Sequence, residues 1–336
     1  MSPELFAGDP TTSLPRAYGA APLSGRLRER PEHFIVDEQL PYGPDGSGEH
    51  AWLRIRKRER NTHDVARLLA RHAGVAQVAV GYAGLKDRNA VTTQHFTVHL
   101  PGREDPDWSG LEADGIEILE VSRHSRKIRR GSLKANRFEL TVTQCSGARD
   151  EAERKLAIIA ASGVPNYFGP QRFGREGNNL QRADALFAGT GKRRGREQKG
   201  LLLSAARSQL FNAVLAERVK RGDWNTALPG DVLLFEGSQR QFRFDSDDPT
   251  IPERILTKTI HPSGPLPGRA CRSLEPLGDV AVMEAAVLAP WGSWVDGLQR
   301  FGLDADRRAL RLVVNDLEWE WRDDSLVTRF SLPSGT

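Results

Sequence analysis

The sequence predicts an α+β protein of about two domains. Segments that alternate apolar and polar residues recur across 33–57, 94–100 and 116–145, which is the period of half-buried strands. Stretches at 61–74, 150–163 and 204–222 repeat at helical spacing instead. Near residue 163 the composition shifts to Gly, Asn and aromatics, and alternation returns near 310. With 336 residues, 38% of them hydrophobic and 27% charged, the chain has ample apolar material for a core.

Residues 1–25, rich in Pro, Gly and small side chains, are expected to begin the chain as a loose arm. HFIVDEQL (33–40) and EHAWLRIRK (49–57) read as strands flanking the turn-rich PYGPDGSG. In the second, Trp52 aligns with Arg54 and Arg56, while Leu53 and Ile55 face the other way. NTHDVARLLARHAG (61–74) is a helix: Asn61 can cap it, Asp64 sits near its positive end and Gly74 suits the C′ position. Val65, Leu68, Leu69 and His72 share a face, which makes His72 a core-edge residue rather than a ligand.

VAVGYAGL (78–85) reads as a buried strand and QHFTVHL (94–100) as an alternating one. On a strand His95 and His99 stand about 13 Å apart, which excludes the i, i+4 metal pair a helix would make. GIEILEVSRHSRKI (115–128) and RFELTVTQC (137–145) continue the strands. DEAERKLAIIAASG (150–163) is a helix ending at Gly163, and SAARSQLFNAVLAERVKRG (204–222) is another, with Leu210, Phe211, Val214 and Leu215 on one face. Residues 223–305 are turn-rich and carry no clear period. DLEWEWRDDSLVTRFSL, starting at 316, sets Leu317, Trp319 and Trp321 opposite Glu318 and Glu320.

Several classes of function are excluded. No stretch approaches the ~20 apolar residues that cross a bilayer, and the first residues lack a secretory signal, so a cytoplasmic protein with no membrane partner is expected. The two cysteines, Cys145 and Cys271, provide neither a disulfide framework nor a cysteine metal site. GTGKRRG (189–195) lacks the spacing and the Ser/Thr of a P-loop and does not match the dinucleotide fingerprint. No nucleophile elbow is present. Asp316, Glu318 and Glu320 alternate on a strand, and a solvated edge suits them better than a nuclease metal site. No cofactor and no metal are therefore expected, and any chemistry falls to side chains.

The formal charge is +4, but the basic residues cluster. RIRKRER (54–60) holds five basic residues, RHSRKIRRGSLK (123–134) holds six, and KRRGREQK (192–199) forms a third group. Of 48 basic residues 39 are Arg, whose planar fork suits phosphate and stacks on bases. Such clusters fit a polyanion, most simply nucleic acid, and equally fit solvated faces offset by acids elsewhere. Aromatics stand beside them: Phe34 follows Arg28 and Arg30, Asn136 and Phe138 follow the 123–134 cluster, and NYFGPQRFG (166–174) adds Tyr167, Phe168, Arg172 and Phe173. Aromatics beside Arg suit stacking on unstacked bases. In YAGLKDRNAVTTQHFTV (82–98), Asp87 stands between Lys86 and Arg88 at the end of a strand. Flanking cations favour the ionised carboxylate that a nucleophile requires. The same triplet also suits a turn carboxylate in a local ion pair.

GLKDRNAVTTQ (84–94), NRF (136–138), NYFGPQRFG (166–174), SAARSQLFN (204–212) and the closing LPSG (332–335) together resemble, in order, the signature segments of the TruD family of tRNA pseudouridine synthases. The resemblance implies a catalytic domain with a mixed, largely antiparallel sheet flanked by helices, formed by residues 1–162 plus 306–336. An inserted α/β domain would cover 163–305. It implies isomerisation of uridine to pseudouridine, typically uridine 13 in the D arm, with tRNA as the partner. Asp87 would be the nucleophile, attacking at C1′ or C6 or assisting elimination through a glycal. Phe34, Lys86, Asn136 and Phe138 would hold the target nucleotide, and Arg126, Lys127, Arg129 and Arg130 would contact phosphates. No cofactor is implied, because isomerisation changes neither redox state nor atom count, and a monomer is expected. A non-catalytic RNA-binding protein or RNA chaperone on the same fold, or a family member acting on another RNA, is the alternative. Family members continue past the final Gly with an aromatic and a terminal helix, whereas this sequence stops at Gly335-Thr336 just before that aromatic, so one wall of the pocket is expected to be missing.

Overall fold

A computed structural model describes residues 8–111, 115–191 and 195–333. The strands of the first half are β1 (Leu23–Leu27), β2 (Phe34–Gln39), β3 (His50–Arg58), β4 (Val80–Tyr82), β5 (Val91–His99), β6 (Ile116–His124) and β7 (Ala135–Gly147). The helices are α1 (Thr62–His72), α2 (Arg149–Ser162), α3 (Asn178–Phe187), α4 (Arg196–Arg221), α5 (Ile251–Leu256), α6 (Gly278–Leu288) and α7 (Gly292–Arg300). Short strands β8 (Val164–Pro165), β9 (Val232–Phe235), β10 (Gln241–Arg243), β11 (Ile260–Leu266), β12 (Asp306–Ala309) and β13 (Arg311–Leu312) precede the closing hairpin of β14 (Asn315–Arg322) and β15 (Ser325–Pro333). The chain forms two compact units, one of residues 21–156 and 314–336 and the other of residues 1–20 and 157–313.

The first unit is built on a nine-stranded sheet in the order β14-β15-β7-β2-β5-β3-β6, with β1 on β7 and β4 on β5. β2 and β5 run parallel, and every other pairing described in this sheet is antiparallel. β3 lies between β5 and the edge strand β6, and both of its faces are covered. Leu53 and Ile55 pack with Val65, Leu69 and Phe96, while Trp52 packs on the other side with Ala83 and Ile128. α1 begins after Asn61 as expected, but the Asn61 side chain bonds the Asp64 carboxylate at 3.1 Å and caps no backbone N–H. The stretch read as a single strand, 78–85, becomes a 3-10 turn, the three residues of β4, and an irregular loop.

In the second unit α4 starts eight residues before the expected helix and buries Leu210, Phe211, Val214 and Leu215 as its period requires. Gly222, at φ 75°, ends it in the left-handed conformation that glycine tolerates. The aperiodic stretch 223–305 resolves into β9, β10 and β11 of an antiparallel four-stranded sheet, completed by β12, and into three helices. β9 and β10 are too short to show alternation, and Pro262, Gly264 and Pro265 interrupt it in β11. Arg218 is buried and ion-paired with Asp223 (2.6 Å) and Asp231 (2.9 Å), which holds the end of α4 to the following turn. The described part of the expected loose arm is not loose. Tyr18 packs edge-on against Trp224 at 6.2 Å, and its hydroxyl donates to the Gly163 carbonyl at 2.7 Å.

Candidate active site

Asp87 lies at the exposed tip of the loop between β4 and β5, and the loop is held from below by buried polar side chains. The Lys57 ammonium, at the end of β3, donates to the carbonyls of Asp87 (3.0 Å) and Arg60 (2.6 Å). The Thr62 hydroxyl, at the start of α1, accepts from the Lys86 N–H at 3.0 Å and donates to the Gln94 side chain at 3.0 Å. Gln94 in turn donates to the Gly84 carbonyl at 2.6 Å. Strand, helix and loop are thereby tied at successive backbone groups, so the carboxylate sits on a preorganised turn.

Lys57 is 1% exposed. Burial disfavours its charged form and brings its pKa down to about 8, against the pull of Asp87 upward and with a smaller push down from Lys86. Lys86 flanks Asp87 in sequence, yet its ammonium is buried and turned onto Glu38 at 2.8 Å. Burial pushes Glu38 up, but bonds from His95 and Lys86 outweigh it and hold the carboxyl below the usual range. The cation coupled to Asp87 from beneath is thus Lys57, which the sequence placed only in a basic run. Its signal was strand alternation: Ala51, Leu53, Ile55 and Lys57 share the core-facing register, as do Phe34, Val36 and Glu38 on β2.

Neighbouring strands carry an aromatic rank. Phe34 stacks on Phe138 (centroids 6.1 Å, 14° between planes), Phe138 stacks on Phe330 at 5.4 Å, and the Arg28 guanidinium lies 3.9 Å over Phe34. Register explains the stack, since Phe330 pairs with Phe138 across β15 and β7. Ala90, at the foot of the Asp87 loop, is buried in the cluster that contains Phe34 and Val36, with Phe138 packed on it. Glu38 pairs with Asn136 across β2 and β7. Asn136 Oδ1 is buried and has no hydrogen-bond partner among the described residues. An unpaired buried acceptor costs about 1–3 kcal/mol, and a ligand N–H or O–H would relieve it.

The basic runs divide. In 54–60, Arg54, Arg56 and Arg58 pair with Asp37 (2.9 Å), Glu117 (2.8 Å) and Glu32 (2.6 Å), so their charge is spent within the fold. In 123–134, Lys127 donates to the Val78 carbonyl and Arg130 to the Tyr82 hydroxyl at 2.6 Å, its guanidinium 4.2 Å over the Tyr82 ring. Arg126 and Arg129 remain exposed. The loop itself is joined to the one bearing Asp87, because Gly131 N–H donates to the Ala83 carbonyl at 2.8 Å. Lys192, Arg193 and Arg194 of the third run, and Ser334 and Gly335 of the closing segment, lie outside the described residues. Among the described residues no cluster of acids, histidines and cysteines has metal-site geometry, and no helix is long and apolar enough to cross a membrane.

The profile of the family described as tRNA pseudouridine synthase D (TruD) matches residues 16–189 and 178–336. The chain is 50% identical over 324 residues to a protein named tRNA pseudouridine synthase D from Methylococcus capsulatus, covering 96% of this chain and 91% of that one. It is 47% identical to the protein of the same name from Nitrosococcus oceani, covering 95% and 90%. A solved TruD structure from Methanosarcina mazei shares the fold with a TM-score of 0.77 at 22% identity, covering 96% of this chain and 93% of that one. Matched along almost its whole length by the profile and by relatives at 47–50% identity, the chain belongs to the tRNA pseudouridine synthase D family.

Proposed function

We propose that this chain isomerises uridine to pseudouridine in tRNA, with uridine 13 of the D arm as the target and the Asp87 carboxylate as the nucleophile. The observation that carries the reading is the placement of Asp87. Its side chain is exposed, while the loop around it is fixed by Lys57, Thr62 and Gln94. In the reaction the N1–C1′ bond breaks and a C5–C1′ bond forms; C5 loses a proton and N1 ends protonated, so atoms and electrons balance within the nucleotide. One carboxylate serves attack at C1′, attack at C6, or elimination through a glycal.

The target must leave its stack, at a cost of a few kcal/mol. Stacking the extruded base returns about 1–3 kcal/mol, a role for the rank of Phe34 and Phe138. Asn136 Oδ1, the unpaired acceptor, takes a hydrogen bond from the base or ribose. Lys86 acts through Glu38, setting the loop rather than touching the nucleotide. Net affinity comes from phosphates on Arg126 and Arg129, with Lys127 and Arg130 shaping the loop that presents them. The enzyme works as a cytoplasmic monomer, with the unit of 21–156 and 314–336 as its catalytic domain and the unit of 1–20 and 157–313 holding the insertion.

The test is Asp87→Asn beside wild type on unmodified tRNA, with pseudouridine read by carbodiimide primer extension and binding read separately. Asp87→Asn should keep tRNA affinity and lose isomerisation, because an amide cannot act as the nucleophile. Near-wild-type turnover in that variant removes Asp87 from the role. Binding without pseudouridine in wild type would turn the reading to a non-catalytic RNA-binding protein.

A further inference from the structure

The second unit holds a cavity lined by none of the residues assigned to the nucleotide. Its volume is about 420 Å³, within the roughly 300–1,000 Å³ of small-molecule sites. Phe244 and the α5 residues Ile251, Ile255 and Leu256 supply apolar lining, while Asn225 and Arg311 supply polar lining. Leu256 is 78% exposed, so the apolar lining reaches the surface. Lys258 donates to the Ala160 carbonyl at 3.0 Å and ties the end of α5 to α2, whose last residues also line the cavity.

Arg311, on β13, faces this cavity without a carboxylate of its own. It is 4% exposed, and its Nε donates to His261 Nδ1 at 2.9 Å. Its Nη2 donates to the carbonyls of Ile255 (2.8 Å) and Ile260 (3.0 Å). All three acceptors are neutral. Because His261 Nδ1 accepts, the ring proton is on Nε2 and goes to Glu236 at 2.6 Å, so Glu236 reaches Arg311 only through the imidazole. Nη1 has no hydrogen-bond partner among the described residues, and no acidic residue among them lines the cavity. Burial pushes the guanidinium below the ordinary arginine range, against upward pulls from Glu236 and Tyr18.

Buried charges are ordinarily paired. A guanidinium is weakly hydrated enough to occupy such a place, and an open Nη1 fits a carboxylate oxygen. The apolar lining decides between anions. Inorganic phosphate would leave oxygens unpaired against Phe244, Ile251 and Ile255, each at the cost of a buried unsatisfied acceptor. A carboxylate on a hydrocarbon body instead gives its oxygens to Arg311 and Asn225 and buries its apolar part. We infer that this cavity binds a small organic monocarboxylate with an aliphatic or aromatic body, its carboxylate held by Arg311 and the Asn225 amide. The site involves no RNA and stands beyond the isomerase reading.

The experiment titrates octanoate and phenylpropionate into the full chain by calorimetry, with octanol and inorganic phosphate as controls. At least one acid should bind about tenfold more tightly than octanol, the ratio for one charge-assisted hydrogen bond at roughly 1.4 kcal/mol per tenfold. Asn225→Asp keeps size and shape, adds a negative charge to the lining, and should weaken the acid about tenfold with an unchanged melting temperature. Arg311→Gln should abolish the preference for acid over octanol; if the loss of its three bonds unfolds the chain, Asn225→Asp carries the test. Failure of both acids to bind overturns the site. Equal binding of octanol also overturns it and marks an apolar hollow. So does unchanged acid affinity in Asn225→Asp, which puts the acid elsewhere, or a folded Arg311→Gln that keeps the preference. Phosphate that binds as tightly as the acids and displaces them marks a small-anion site and overturns it too.

Discussion

At the scale of single residues, the site depends on a buried cation whose two described hydrogen bonds run to carbonyls. Lys57 loses hydration on burial, and its bonds to Asp87 and Arg60 carbonyls offset part of that loss. Its folded pKa, about 8, lies below the ordinary 10.5. Between those values the unfolded chain binds the additional proton, so raising the pH through that window favours the folded state at this group. Below about pH 8 both states are protonated and the penalty is fully present. Lys57→Met does not titrate there, so wild type should gain stability relative to it from pH 8 to 10 in urea unfolding. A constant difference across that range would show that Lys57 is not held as described. Glu38 changes with pH in the same direction, in the acid range: its depressed pKa contributes stability that is present above the ordinary carboxylate pKa and is lost as pH falls through the folded value. The triplet Lys-Asp-Arg sets Lys86 beside Asp87 in sequence, but the Lys86 ammonium proved to belong to Glu38, forty-eight positions away in the chain.

Between elements, the close approach of β4 to the basic loop decides how the two functional loops are spaced. A Cβ on Gly81 would stand 2.5 Å from the Ile128 carbonyl oxygen and 2.6 Å from Thr97 Oγ1. Ile128 N–H itself donates to Thr97 Oγ1 at 3.0 Å, so the loop has little room to retreat. Gly81→Ala should therefore destabilise the fold by about 1–3 kcal/mol, the range for overpacking, and weaken tRNA binding by displacing Arg126 and Arg129. Urea unfolding and a binding titration check it, and an unchanged midpoint would mean the loop moves freely. Element types were readable wherever a period was long enough: α1, α2, α4 and the strands from β2 to β7 follow from it. β4 was overread, because an apolar run of eight residues does not distinguish three strand residues followed by a loop. The stretch 223–305 was not readable, since β9 and β10 hold only four and three residues and β11 is interrupted by Pro262, Gly264 and Pro265.

For the whole molecule, the charge excess of +4 is small, so RNA affinity is set by which arginines stay unpaired rather than by net charge. A monomer is expected to sediment at 37.3 kDa in analytical ultracentrifugation, and twice that mass across the working concentration range would overturn the proposed oligomeric state. The α+β class, the order of the main elements and the family were carried by local features: strand and helix periods and contiguous motifs. The fate of each cation was not. Arg56 meets Glu117 and Lys86 meets Glu38 only after strand register and loop closure bring them within 2.8 Å, while Arg129 stays exposed and the Arg172 guanidinium bonds Ser204 and lies over the Phe168 ring. Coulomb energy depends on separation and burial, and neither quantity exists until the chain has folded.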